Sequence, residues 1–354
     1  MEFELLDWMA QSGHDRVLAV QEARSGLRAW IALHHPRHGR AYGGIRVWNY
    51  RSEAEAALDA LRLSQAMTYK CVLAGVAGGG AKTVVMADQI LDRPRAMARL
   101  GEKIQELGGV YRAGPDVGFT VADQEALAKR THFLAHHGSG LRPAGEATAE
   151  GAEYGIRAGL EFLDGECRLE EKVVAIQGLG AVGMALAARL IQAGAKVIGA
   201  DPDSERTRRA EALGVQVVDA GAIVDAPADV FSPCALGGSL HDLTIQRLRV
   251  RLVAGAANNV LARPDHARLL DDRGILFIPD FVLNAGALIE GAGFEREGRT
   301  DWQPELLRIG QTVKRVLQRA RDDRSTTVEA AHQVAREMLQ REIQKTKNRA
   351  GASS

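Results

Sequence analysis

The sequence has little cysteine and no surplus of charge of either sign. Three cysteines in 354 residues, Cys71, Cys167 and Cys234, are an odd number, widely spaced and without a CxxC pair, which leaves no basis for a disulfide framework, a zinc site or a redox dithiol. Lys plus Arg equal Asp plus Glu at 45 each, so no global field recruits nucleic acid or an anionic membrane surface. The basic cluster at 341–349 contains Glu342 and reads as a solvated helix end. Uninterrupted apolar runs fall short of transmembrane length, and Glu2, Glu4 and Asp7 interrupt the first eleven residues in a way a secretory leader does not allow. Internal repeats and low-complexity tracts are also lacking. Together these absences predict a cytoplasmic protein with no metal, nucleic-acid or membrane partner.

What is present is the composition of a folded enzyme-sized chain, 46% hydrophobic and 25% charged, long enough for two domains. Residues 17–20 and 27–33 read as strands, followed by a turn at Gly43 and Gly44. Ser52 and Glu55 have capping-box spacing ahead of a helical apolar face running toward Met67. From Lys172 onward, short buried-type strands at 173–176, 197–200, 215–218, 230–231 and 252–254 alternate with helical stretches, the rhythm of a doubly wound parallel sheet. The segment 138–148, rich in Gly, Pro, Ala and Ser, marks the crossing between domains. The predicted fold is therefore α/β with two domains: residues 1–138 for substrate and oligomerisation, and 139–325 as a nucleotide-binding Rossmann domain. The C-terminal helical segment 326–354 is predicted to return to the first.

Gln177 ends a β-rich run and "GLGAVG" follows at once, setting Gly178, Gly180, Ala181, Val182 and Gly183 at a strand-to-helix turn. The first glycine permits the tight turn, the second lets the backbone approach a pyrophosphate, and the third lets the helix pack closely. Asp201 closes the next strand, eighteen residues beyond Gly183, where a carboxylate accepts from a ribose 2′-hydroxyl and repels a 2′-phosphate. That favours NAD, although Arg206, Arg208 and Arg209 just downstream leave NADP open on this stretch alone.

The stretch "MTYKCVLAGVAGGGAK" sets Lys70 and Lys82 on either side of a segment rich in small residues. Burial would depress a lysine pKa and suit it to general-base work, and glycines 78–80 would let a substrate approach the backbone. These motifs, with "YGGIR" at 42–46, "DALRLSQAMTYK" at 59–70, "GPDVG" at 114–118, "DVFSPCALGG" at 229–238, "AGAANN" at 254–259 and "PDFVLNAG" at 279–286, resemble the glutamate/leucine/phenylalanine/valine dehydrogenase family, most closely its leucine and phenylalanine branch. The resemblance follows family order over nearly the whole chain.

The resemblance implies that Lys70 pairs with the substrate α-carboxylate, Lys82 activates water, and Asp116 passes a proton to and from the substrate nitrogen. It further implies that Thr148, Ala235, Asn258 and Asn284 line the nicotinamide half of an NAD site, and that the chain assembles as a homo-oligomer, a dimer or larger. Tyr42 stands where glutamate-specific members carry a lysine ahead of the pair matched by Gly43 and Gly44, which argues against a substrate with a second carboxylate. Gly114 resembles phenylalanine members and Val282 leucine members, so leucine/valine and phenylalanine/tryptophan both stay open. Three departures stand out: a shortened loop before Thr148, Ala287 in "NAGA", and Glu290 where the family is usually neutral. A buried Glu there would need a partner. The rival functions are a non-catalytic NAD-binding sensor and an ammonia-independent 2-oxo acid reductase, but His34, His35, His136 and His137 form no recognisable acid–base pairing motif.

Overall fold

The computed structural model describes residues 4–135, 140–235 and 237–351. They fall into two compact units, Met1–His136 and His137–Ser354.

The first unit runs α1 (Leu5–Ser12), β1 (Arg16–Glu22), β2 (Leu27–Leu33), β3 (Ala41–Trp48), α2 (Glu53–Leu73), β4 (Gly79–Met86), α3 (Arg93–Glu106), β5 (Tyr111–Pro115) and α4 (Val121–Ala128). Its described sheet has the order β1-β2-β4-β3-β5, with β1/β2 and β2/β4 antiparallel and β4/β3 and β3/β5 parallel. One face packs Ile31, Ile45, Val47 and Val85 against Met97, Leu100 and Ile104 of α3. The other packs Val84 and Met86 against Ala56, Ala60 and Leu61 of α2.

Helix α2 begins as its spacing predicts, with the Ser52 hydroxyl accepting from Glu55 N at 3.1 Å. The Glu55 carboxylate takes the Arg51 N–H, at 2.8 Å, so the box closes one residue early. The helix runs past Met67 to Leu73 and carries Lys70 in its last turn. It lies unusually close to β4. A Cβ at Gly80 would stand 2.1 Å from Ser64 O and 2.2 Å from Thr68 N, and one at Gly79 would stand 1.5 Å from His35 O. Glycines 78–80, read in the sequence as room for substrate, are thus occupied by internal packing, with the Tyr42 ring filling the space over Gly78.

The second unit runs α5 (Ala144–Asp164), β6 (Val173–Gln177), α6 (Ala181–Gln192), β7 (Lys196–Ala200), α7 (Ser204–Leu213), β8 (Gln216–Val217), β9 (Val230–Pro233), α8 (Asp242–Arg247), β10 (Leu252–Val253), α9 (His266–Asp272), β11 (Leu276–Phe277), α10 (Asp280–Leu283), α11 (Gly286–Glu297), α12 (Gln303–Asp323) and α13 (Thr327–Gly351). Its described sheet is parallel throughout, ordered β8-β7-β6-β9-β10-β11. That is the Rossmann order, and the strand sequence reverses direction between β6 and β9, where such sheets bind ligands.

The division lies two residues before the boundary read from the sequence, and the C-terminal segment also differs from that reading. It belongs to the second unit: the Thr327 hydroxyl donates to Phe277 O at 2.6 Å, Val328 packs on the sheet core, and Arg319 of α12 meets Glu337 at 2.6 Å. The crossing segment is shorter than its composition suggests, because helix α5 has already begun at Ala144 and takes in Thr148.

Candidate active site and cofactor turn

All eight residues of β4 are buried, yet the strand carries a lysine. Lys82 is 6% exposed, an environment that ordinarily excludes an ammonium unless it is paired. Its Nζ donates to Asp116 Oδ2 from the end of β5. Arg46 Nε of β3 donates to the same oxygen at 3.2 Å, while Arg46 Nη1 reaches Asp59 on α2 at 3.2 Å. The Tyr50 hydroxyl donates to Asp59 at 2.6 Å. A chain Lys82–Asp116–Arg46–Asp59–Tyr50 therefore crosses the face of three strands and enters the helix above them.

Burial pulls the Lys82 pKa down, and the Asp116 charge offsets that only in part. Burial pushes Asp116 upward, but the Lys82 and Arg46 charges outweigh it and hold the carboxyl below its usual range. The pair thus joins a lysine poised to give up its proton to a carboxylate kept ionised.

Gly44 makes the pairing possible. A Cβ there would meet Asp116 Cβ at 2.8 Å and Lys82 Nζ at 3.4 Å. Gly114 is its register partner across β3 and β5, and a Cβ at Gly114 would meet only Ala135 Cβ, at 3.7 Å. The sheet is bare at Gly114 beside the charged pair. Gly43 serves the fold instead, since its Cβ would fall 1.7 Å from Ala81 O. Tyr42 is buried against Gly78, and Lys70 is partly buried on α2, the helix packed along β4.

His34 serves structure. His34 bonds Thr68 Oγ1 at 2.9 Å and Ser12 O at 2.8 Å, and Thr68 in turn accepts from Gly80 N at 2.8 Å. Burial lowers the His34 pKa to about 4, so it stays neutral and ties α1 and α2 to the sheet. His136 and His137 lie outside the described residues.

In the second unit, the "GLGAVG" turn follows β6 directly. Gly178 has φ +95°, and Gly183 approaches so closely that a Cβ would stand 1.9 Å from Gly178 O. A Cβ at Gly180 would meet only the Arg206 guanidinium, 4.0 Å away. Gly180 also caps α6 and has no side chain to take up the first-turn N–H groups at Ala181 and Val182, which leaves them for an anion. Asp201 Oδ2 accepts from Leu179 N at 2.8 Å, so the acidic residue braces the turn. Arg206 reaches back to within 3.5 Å of Asp201 and is more than an exposed face of α7. Cradle, helix terminus and carboxylate fit a dinucleotide.

The remaining cofactor candidates gather beyond the same strand ends. Ala235, after β9, stands against Gly178, and Asn284 Nδ2 donates to Asn258 Oδ1 at 2.8 Å. The Thr148 hydroxyl donates to Ala144 O at 2.9 Å within α5, and Val282 is buried in α10. Glu290 has the partner it needs in Arg142, whose Nη2 donates to it at 2.6 Å.

Sequence reading assigned no role to Arg46, Asp59 or Tyr50. Arg46 and Asp59 stand inside "YGGIR" and "DALRLSQAMTYK", where an arginine and an aspartate thirteen residues apart were the available signal. Among the described residues, groups of His, Cys, Asp and Glu suited to a metal are absent, and no helix is long and apolar enough to cross a membrane.

Comparison with known proteins agrees with this geometry. Residues 14–132 match the Glu/Leu/Phe/Val dehydrogenase dimerisation domain, and residues 202–352 match the glutamate/leucine/phenylalanine/valine dehydrogenase domain. Residues 153–242 also match the NAD binding domain of D-isomer specific 2-hydroxyacid dehydrogenases. A leucine dehydrogenase of Geobacillus stearothermophilus is 39% identical over 347 residues, 95% of this chain and 94% of that one. A phenylalanine dehydrogenase of Caldalkalibacillus thermarum is 38% identical over 341 residues, 93% of this chain and 92% of that one. The crystal structure of L-tryptophan dehydrogenase from Nostoc punctiforme superposes with a TM-score of 0.83 at 32% identity, covering 96% of this chain and 99% of that one. The chain belongs to the glutamate/leucine/phenylalanine/valine dehydrogenase family.

Proposed function

We propose that this NAD-dependent amino acid dehydrogenase oxidatively deaminates an L-amino acid with an apolar side chain, with Lys82 as the water-activating base and Asp116 as the proton carrier for the substrate nitrogen. The observation that carries this reading is the pair formed by buried Lys82 and half-buried Asp116, a depressed lysine and an ionised carboxylate beside a bare patch of sheet. Bound NAD supplies the hydride acceptor.

Ionised Asp116 first takes a proton from the substrate ammonium. Once the Cα hydrogen has left with its electron pair and the C–N bond has become double, neutral Lys82 takes a proton from water as the oxygen adds to Cα. Asp116 then returns its proton to nitrogen, and as the C–N bond breaks the hydroxyl proton passes back to the carboxylate, leaving ammonia and the 2-oxo acid. Lys70 pairs with the α-carboxylate throughout, an interaction present in ground and transition states alike. Arg46 touches Asp116 and keeps its charge and direction fixed. On the second unit, the turn from Gly178 to Gly183 would hold the pyrophosphate, Asp201 the ribose, and Thr148, Ala235, Asn258 and Asn284 the nicotinamide half.

Tyr42 offers no cation to a second substrate carboxylate, which favours an apolar side chain. The relatives named for leucine, phenylalanine and tryptophan set the range, and the open space at Gly114 admits the larger end of it. The test is NADH oxidation with ammonium and a panel of 2-oxo acids. Turnover with branched-chain or aromatic 2-oxo acids that requires ammonium supports the reading; equal turnover without ammonium, or preference for 2-oxoglutarate, overturns it. Assembly as at least a homodimer in the cytoplasm through the first unit is part of the proposal, and light scattering showing a fully active monomer would remove that part.

A further inference from the structure

Three glutamates in the second unit are almost fully buried, Glu290 and Glu150 at 4% exposure and Glu153 at 5%, and none takes a step in the chemistry above. Arginines neutralise all three in a continuous chain. Arg142, on the short segment before α5, donates through Nε and Nη2 to Glu290 Oε1 on α11, at 2.8 and 2.6 Å, and through Nη1 to Glu150 Oε2 on α5, at 2.7 Å. Arg189 of α6 stands 3.4 Å from that same Glu150 oxygen and donates to Glu153 at 2.7 Å. Arg157 completes Glu153 at 2.8 Å, and the Tyr154 hydroxyl completes Glu150 at 2.7 Å.

The chain joins three helices whose N-terminal ends lie beside or carry the cofactor candidates. Helix α5 carries Thr148, α6 opens on the glycine turn, and α11 follows Asn284 by two residues. Their backbones approach closely at those ends. A Cβ at Gly145 would lie 3.1 Å from Ala181, and one at Gly286 would lie 2.0 Å from Ala147 O and 2.9 Å from Thr148 N. The first turn of α5 is therefore wedged between the starts of α6 and α11. These contacts hold the helix starts together, and the arginine chain ties the same three helices further along their lengths.

We propose that Arg142 is a positioning residue for the NAD site: by gripping Glu290 and Glu150 together it clamps α11 to α5, and through Arg189 to α6, and so fixes Thr148 and Asn284 for the nicotinamide half of the cofactor and the glycine turn for its pyrophosphate. The inference rests on the assignment of Asn284 to the cofactor face. A guanidinium suits the task because its planar fork engages two carboxylates at once, which an ammonium cannot do in the same geometry.

Removing Arg142 alone would leave buried carboxylates short of a partner and risk the fold. The decisive variant is therefore Arg142→Met with Glu290→Met, which replaces the ion pair by apolar side chains and leaves Glu150 with Arg189 and Tyr154. Exchanges of this kind are commonly neutral or stabilising, so the melting temperature should hold. NADH affinity, titrated on the full-length protein by nicotinamide fluorescence, should fall about tenfold, the scale of one well-placed contact. The KM for NAD should rise in step while kcat at saturating cofactor stays close to that of the unaltered enzyme. Arg142→Lys should restore only part of the affinity. Asn284→Ala is the control for the cofactor face. If it binds NADH normally, the assignment of that face fails and the clamp proposal with it. If Asn284→Ala is weakened while the double variant binds within about twofold of the unaltered protein, a change too small to count as one contact, the clamp alone is overturned.

Discussion

In the first unit the proposed base, Lys82, stands within the sheet midway along β4 and draws in Asp116 from the end of β5, whereas in the second unit the proposed cofactor residues stand beyond strand ends or, like Thr148, on a helix. The difference is physical. A charge held inside a sheet inherits the burial of its strand, which shifts its pKa and fixes its direction at once. A turn beyond a strand end offers N–H groups and open space, and needs bracing of the kind Asp201 gives to Leu179. Changes at the first unit's charged pair should therefore strike turnover, and changes at the second unit's turn should strike cofactor binding.

The sharpest test of that contrast is Lys82→Ala, which should lower kcat by roughly 10²–10⁴-fold, the range of general acid–base catalysis, with NADH affinity unchanged. A parallel loss of NADH affinity would erase the distinction. The same pair gives a pH signature. With Lys82 as the proposed base and its pKa depressed by burial, kcat/KM for deamination should rise with pH and level off below the ordinary lysine range near about 10.4. Asp116→Asn removes the charge that favours the protonated lysine, so the limb of any residual activity should move further to acid. A limb that moves alkaline would contradict the pairing.

Gly44→Ala should follow in size. Its methyl would press on Asp116 Cβ at 2.8 Å, and misplacement on the ångström scale lowers kcat by about a hundredfold. Steady-state kinetics showing only a KM change would mean that Gly44 serves substrate access instead. In the second unit, Asp201→Asn removes a carboxylate that Arg206 approaches to 3.5 Å. The kcat/KM for NAD should fall about tenfold, the equivalent of one contact, while that for NADP rises as Arg206 becomes free to meet a 2′-phosphate; kcat should barely move, and an unaltered cofactor ratio would deny Asp201 its ribose role. Gly114→Ala should have the smallest effect. The added methyl meets only Ala135, so the fold is spared and activity on aromatic substrates should drop a few-fold more than on leucine or valine. A uniform change across substrates would remove Gly114 from the pocket.

The two units also differed in how plainly the sequence announced them. The parallel sheet was legible from its alternating buried strands, and the glycine turn from its position straight after one of them, because both depend on local rules of period and backbone freedom. In the first unit β3, β4 and β5 escaped the same reading. Their sequences, AYGGIRVW, GGAKTVVM and YRAGP, are thick with glycine, which normally signals turns. Here the glycines are required by contacts distant in sequence: Gly80 under α2, Gly79 against His35, and Gly43 against Ala81. Lys82 was picked out by its small-residue setting and Asp116 by family resemblance, but their direct contact and the link onward through Arg46 depend on strand order, which no local pattern specifies. Glu290 stood out only as a charge that needed a partner, and Arg142 lies 148 positions away.

The placement of Lys82 also bears on how the enzyme loses activity as it unfolds. Strand β4 is flanked on both sides, Ala32 of β2 opposite Lys82 and Ile45 of β3 opposite Thr83, and it is covered by α2. Amide protons along such a strand exchange with solvent only when the cooperative unit around them opens. The Lys82 amide should therefore be among the slowest of the first unit to exchange, and the proposed base should keep its setting through fluctuations that fray the edge strands. In mild denaturant, catalytic competence of the first unit should then disappear together with its sheet, as a single event.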